Sequence, residues 1–331
     1  MPLTTAQLNY FNIALMACSA VAAFVFPFEL FLFSYAVLGP LHYLTEISWL
    51  HDRNYFTESK DRKWKKALRG WLVLVALTLV ILITSFVAVE GAGLQANPKW
   101  EITFFYLVFA SALIITIIEK RAVRYVALVV SLVLLALFER SRYYILFAFL
   151  LVTIIHVFVF TGSFILYGAL KGKSWSGILS LVVFVACAIS FFVYVPAGHA
   201  AGNFVHQSYR SFNSLNSELI KLFRLGPGNT SSEVYESRSG IMVMRLIAFA
   251  YTYHYLNWFS KTSIIKWHLI PRSRTVVMIA VWFGALALYA YDYDTGMAVL
   301  YFMSILHVML EFPLNHRTFA EIGKELYAVA A

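Results

Sequence analysis

Apolar residues run along this chain in long, nearly unbroken blocks separated by short polar joints. The blocks fall at roughly 8–26, 28–50, 71–89, 101–118, 123–138, 143–169, 177–195, 241–259, 275–294 and 296–313, each near the ~20 residues that carry an α-helix across a bilayer core. Continuous blocks, rather than strict alternation of apolar and polar positions, speak against an outer-membrane barrel. Tyrosine and tryptophan gather near block ends (Trp71, Trp100, Tyr143, Tyr144, Trp175, Tyr194), where amphipathic rings suit the membrane–water interface. The pattern predicts an all-α, polytopic integral membrane helical bundle of about ten transmembrane helices, with residues 1–331 forming a single membrane domain.

One stretch departs from this pattern. Residues 196–240 are polar and open on Pro196-Ala197-Gly198. Within them, Phe204 is followed five residues on by Tyr209, and Tyr209, Phe212, Leu215, Leu219 and Phe223 recur at three- and four-residue steps, so 203–224 reads as an amphipathic helix. Gly226-Pro227-Gly228-Asn229 ends it. The segment is expected on the extracytoplasmic side, as a helix lying in the interface or a lid over the bundle.

Composition narrows the class further. Hydrophobic residues make up 61% of the 331 and charged residues 13%, against ~25% charged in soluble domains. Too little charge remains to hydrate the surface of a soluble enzyme. The net charge of +9 would suit a nucleic-acid-binding protein, but its distribution points to topology instead. The joint at 51–70 holds Arg53, Lys60, Arg62, Lys63, Lys65, Lys66 and Arg69. Alternate joints on that side bring the total to eighteen Lys and Arg, against seven on the other side. The positive-inside rule then places both termini in the cytoplasm, in an integral membrane protein of the bacterial cytoplasmic membrane. The expected partners are membrane lipid and a lipid-soluble small molecule, not nucleic acid; no motif identifies a protein partner.

Ionisable groups inside membrane spans are costly and mark functional sites. His42, His156, His254 and His307 fall within blocks, whereas His51, His268 and His316 lie at or beyond cytoplasmic ends, and His199 and His206 lie outside. With 1.5 Å rise per residue, His42, His254 and His307 sit about 12, 8 and 9 Å from the inner boundary, a shared depth. His42-Tyr43-Leu44-Thr45-Glu46 and His307-Val308-Met309-Leu310-Glu311 are both H-x-x-x-E, which places imidazole and carboxylate on one helix face. Nitrogen with carboxylate oxygen is the donor set of non-haem iron, manganese or zinc. A histidine follows each Glu five positions on, His51 and His316. In an unbroken helix that step leaves the shared face; Pro313 could break the helix in the second copy. His42, Glu46, His254, His307 and Glu311 are therefore the candidate metal ligands, with His156, His51 and His316 in reserve. Asn257, three residues from His254, is a candidate outer-shell partner. Arg245 is expected to snorkel outward or to pair with Glu233 or Glu236.

The element Gly39-Pro40-Leu41-His42-Tyr43-Leu44-Thr45-Glu46 resembles the G-x-x-H-x-x-x-D element of the Brp/Blh family, polytopic proteins that cleave β-carotene to retinal with a histidine-bound iron. Glu46 stands where the family has Asp, and the resemblance carries over only His42, as an iron ligand. Residues and resemblance together lead to the expectation of a membrane-embedded, metal-dependent oxygenase or oxidoreductase. Its cofactor would be non-haem iron (zinc and haem being the alternatives), and its substrate a carotenoid, isoprenoid or acyl chain. Two other classes fit the same residues: a proton-coupled transporter using the His/Glu pairs as a relay, and a haem-binding subunit of a respiratory complex.

Overall fold

The computed structural model describes residues 4–57, 62–92, 98–138, 149–196, 201–266 and 269–330. Among them every regular element is helical, and there is no strand. Seven helical stretches are long and apolar enough to cross a membrane: Thr5–Val25, Pro27–Asp52, Lys65–Val89, Leu151–Lys171, Trp175–Val193, Arg272–Tyr291 and Tyr293–Ala328, with Glu101–Ile117 a shorter apolar helix. These are compatible with an integral membrane protein. The chain divides into two compact units, Met1–His42 with Thr153–Met297, and Tyr43–Val152 with Ala298–Ala331.

The first unit is organised around one helix, α12 (Arg238–Ser260). It corresponds to the expected block at 241–259 but is not among the seven apolar stretches. Arg245, His254, Asn257 and a run of tyrosines make it polar, and nearly all its length is buried. A helix buried on every side belongs in the interior of a bundle. Around it pack α1 (Thr5–Val25), α2 (Pro27–Phe33) and α8 (Trp175–Val193). Polar side chains tie α1 to α12, since Tyr253 Oη and Ser260 Oγ both donate to Asn12 Oδ1. Trp175 and Tyr194 are exposed at the two ends of α8, as interfacial anchors should be.

Two departures from α-helical geometry shape this unit. The expected block at 28–50 is three pieces: α2, begun by Pro27 at its first position, a π-helical turn Ser34–Leu38, and α3 (Gly39–Asp52). Pro40 explains the turn. It has no N–H and its ring presses on the carbonyl four residues back, so the chain widens to an i→i+5 bond, Gly39 N–H to Ser34 O. The turn is clamped from two directions. Ser34 Oγ lies 2.7 Å from Thr252 Oγ1 on α12, and Trp282 Nε1 donates to Val37 O at 2.9 Å from α14 (Arg272–Tyr291). The block at 143–169 is likewise divided, into a π-helical segment Leu151–Phe160 with Thr153 off helical geometry, and α7 (Thr161–Lys171).

The polar connection forms a cap on the first unit. The helix expected over 203–224 is two short ones, α9 (Asn203–Tyr209) and α10 (Asn213–Leu222), joined by a 3₁₀ turn at Arg210–Phe212; α11 (Ser231–Glu236) follows. Tyr209, Leu215 and Leu219 are buried, while Phe204, five residues before Tyr209, and Phe223, at the end of α10, are exposed. The cap packs on α2 and α12. The Tyr209 ring meets Phe28 and Phe31 edge-on, with centroids 5.1 and 5.4 Å away, and burial pushes its phenol well above the usual range.

The second unit contains α4 (Arg62–Ala92), α5 (Pro98–Ile117), α6 (Arg121–Phe138) and the greater part of α15 (Tyr293–Ala330). Trp71 is no interfacial anchor: it is buried, and its Nε1 donates to Val108 O across to α5. Phe105 and Phe109 meet Phe312 edge-on at 5.4 and 5.1 Å. Pro313 does not break its helix, which runs on through it.

The contact of α7 with α8 leaves no room at Gly177, where an added Cβ would lie 2.8 Å from Ala169 Cβ and 2.9 Å from Ala169 Cα. Backbone cannot swing aside as a side-chain tip can. Gly177→Ala is expected to cost about 1–3 kcal/mol, measured as a loss of stability in detergent; Gly168→Ala, with nothing within 4 Å of its Cβ position, is expected to be near neutral.

Candidate metal centre

Three buried histidines come together in the first unit. His42 and His156 are each 1% exposed and His254 is 5% exposed. His42 lies in the first turn of α3, just after the π turn, and His156 lies in the second π-helical segment. His254 comes from the middle of α12. Thr252, two residues before it, is bonded to Ser34, so one hydrogen bond sets the register of α12 against the segment leading to His42. The Nε2 atoms of His42 and His254 are 3.1 Å apart, and the ring centroids are separated by 4.7 Å with planes at 76°. The ring of His156 flanks His254 at 4.9 Å.

The spacing of the two ring centroids distinguishes a linear hydrogen bond from convergence on one ion. Held end to end by a linear N–H···N bond with this nitrogen spacing, their centroids would lie about 5.4 Å apart. Ligands at roughly 2.1 Å from one ion with the same spacing subtend about 95° there and place their centroids about 4.8 Å apart. The observed 4.7 Å lies near the second value, and a bent N–H···N contact gives it as well. The buried imidazoles of His42 and His254 belong to a histidine group that could hold a metal ion, and imidazole nitrogen alone suits zinc, copper, iron or nickel.

The other nitrogen of His254 is engaged as well: its Nδ1 lies 2.8 Å from Thr161 Oγ1, at the start of α7. A metal-ligating imidazole typically donates from the nitrogen that faces away from the ion, which fixes its tautomer and ring plane. Thr161 holds that position; Asn257, expected there from sequence, is buried on the same helix. No spacing rule in the sequence singles out Thr161, which is adjacent to a π-helical segment rather than in helical register with any histidine. Rings close the surroundings of His42: Tyr255 at 5.1 Å, Trp258 at 5.6 Å and Phe259 at 6.4 Å. Phe160 lies 6.0 Å from His156.

The remaining candidates belong to the second unit. Glu46 is one helical turn beyond His42 on α3, and His307 and Glu311 repeat that spacing on α15; each of the three is 1% exposed. Tyr43 stacks on His307 with centroids 4.2 Å apart and planes at 22°. His51 is exposed near the end of α3, its ring edge-on to Tyr55 at 6.4 Å. His316 is buried, and its Nε2 donates to Phe109 O at 3.1 Å; that nitrogen carries a proton and offers no lone pair. The helix is unbroken in both copies, so each trailing histidine is turned away from the face shared by its His and Glu.

Arg245 behaves otherwise than expected. It is fully buried and so does not snorkel, and neither proposed acid pairs with it: Glu233 accepts from Asn229 N, and Glu236 from Ser232 Oγ. Lys60, Arg140, Arg142, Tyr143, Tyr144, His199 and His268 lie outside the described residues, and nothing is described of the side chains of Arg62, Lys63, Lys99 and Trp100.

No family model, no curated protein and no solved structure matches the chain.

Thr161→Val keeps the shape of the side chain and removes the oxygen, leaving a buried ring nitrogen without its partner. The expected loss is about 1–3 kcal/mol of stability, with Thr161→Ser restoring most of it, as read by thermal or denaturant unfolding in detergent.

Proposed function

We propose that the protein is a membrane-embedded metalloenzyme, with non-haem iron as its metal and a lipid-soluble substrate such as a carotenoid, isoprenoid or acyl chain. The observation that carries this reading is the convergence of His42 Nε2 and His254 Nε2. When bound, iron in such a site supplies O₂ activation or polarises a substrate. The residues do the rest. His42 and His254 bind through Nε2, Thr161 holds the His254 ring in its plane, and Tyr255, Trp258 and Phe259 keep water away from His42. The resemblance around His42 supports iron and a polyene substrate over zinc. Long apolar helices and the loop charges support a bacterial cytoplasmic membrane location with both termini inside.

A second reading rests on a different feature of the same atoms. Thr161 Oγ1, His254 Nδ1, His254 Nε2 and His42 Nε2 form a connected polar chain, which could relay protons in a coupled transporter.

Elemental analysis and an optical spectrum of detergent-purified protein separate the two. The expected outcome is near-stoichiometric non-haem metal and no Soret band, with most of the metal lost in His42→Ala and in His254→Ala. Thr161→Val is expected to weaken metal binding ~10–100-fold. The same assay on His307→Ala and Glu311→Ala reads whether the second H-x-x-x-E supplies ligands, as its spacing suggests. A wild type free of metal under metal-replete growth, or one whose metal content is unchanged by both His42→Ala and His254→Ala, would favour the relay.

A further inference from the structure

Among the described residues, Arg245 is the largest fully buried side chain. A guanidinium presents five N–H donors and keeps its charge in proteins. Nη2 donates to Phe24 O at 3.3 Å and to Pro196 O at 3.1 Å. Phe24 lies in the last turn of α1, and Pro196 follows the end of α8, so both carbonyls come from helix C-termini, which carry partial negative charge. The Phe24 ring faces the guanidinium at 5.3 Å. These contacts explain one edge of the group. The other donors, on Nε and Nη1, have no acceptor among the described residues, and no described carboxylate pairs with Arg245. A buried cation without a counter-ion is strongly unfavourable, and helix dipoles with one ring offset only part of that.

We infer that Arg245 is an oxyanion-binding residue, and that the anion is the phosphate of a lipid headgroup. The surroundings favour a lipid over a free ion. On the C-terminal turns of α1 and α8, the helices whose ends lead to the two accepting carbonyls, stand exposed apolar side chains: Val21 at 63%, Val25 at 47%, Ile189 at 55% and Val193 at 76%. They give acyl chains a surface to lie along; the guanidinium itself has no accessible surface, so the headgroup reaches it only after the side chains over it move aside. Arg245 is nine residues from His254 on α12, about 13 Å along the helix, so this site is distinct from the histidine cluster and does not depend on its metal.

The test uses purified, delipidated full-length protein in a non-ionic detergent and reads the melting temperature. It is titrated with short-chain phosphatidylglycerol, with inorganic phosphate, and with a diacylglycerol of the same chains. The expected result is a rise of roughly 5 °C at a hundredfold excess over the dissociation constant for phosphatidylglycerol and none for diacylglycerol. The rise should be lost in Arg245→Gln, partly kept in Arg245→Lys, and intact in Arg238→Gln on the same helix. An equal rise with inorganic phosphate alone would overturn the lipid as the source while keeping the oxyanion site. No rise with either phosphate compound, or the same rise in Arg245→Gln, would overturn the site. If Arg245→Gln does not fold, phosphorus bound to wild type before delipidation, compared with Arg245→Lys, decides: equal phosphorus in the two overturns the proposal.

Discussion

The cost of placing polar groups in an apolar bundle governs the first unit. α12 carries an arginine, a histidine, an asparagine and several tyrosines, and such a helix is unfavourable against lipid. It is stable where other helices surround it and supply partners: Asn12 for Tyr253, Ser34 for Thr252, Thr161 for His254, and helix-end carbonyls for Arg245. The partners come from several segments: α1, the π-helical turn at Ser34–Leu38, α7 and the stretch just past α8. The polar residues of α12 therefore act as locators, because a shift of the helix by one residue would break several of these buried bonds together.

The π-helical turns serve the same constraint. Pro40 prevents a regular helix through the Ser34–Leu38 region. The widened turn instead offers a hydroxyl to α12 and a carbonyl to Trp282, and His42 follows within four residues of its end. His156 lies inside the other π-helical segment. Such segments are frequent at functional sites, because they aim a side chain in a direction that α-helical spacing does not offer.

Much of the architecture was legible in the sequence. Long apolar blocks separated by polar joints announce helices that can cross a membrane, and the polar stretch around 196–240 announces something different in kind. Where the reading went astray, one local feature was responsible. A 3₁₀ turn divides the helix expected over 203–224, and Phe204 and Phe223, at its two ends, face outward. Pro313 stays within its helix. Trp71 turns inward because a carbonyl on α5 accepts its N–H. Periodicity arguments assume one unbroken helix, and each of these is a local contact that periodicity does not encode.

For the candidate centre, the sequence by itself determined the cast: histidines within apolar blocks, twice followed by a glutamate one turn on. That follows from the high cost of burying ionisable groups, which makes every exception conspicuous. Only the tertiary structure decided which of them meet. It joined His42 and His254 at 3.1 Å, set His156 beside them, turned His316 to a backbone carbonyl and left His51 exposed. It also brought in Thr161, which no spacing rule marks, and left Arg245 buried without an acid. Those outcomes depend on where separate helices cross and how their ends are clamped, and neither is written in the spacing of residues along one helix.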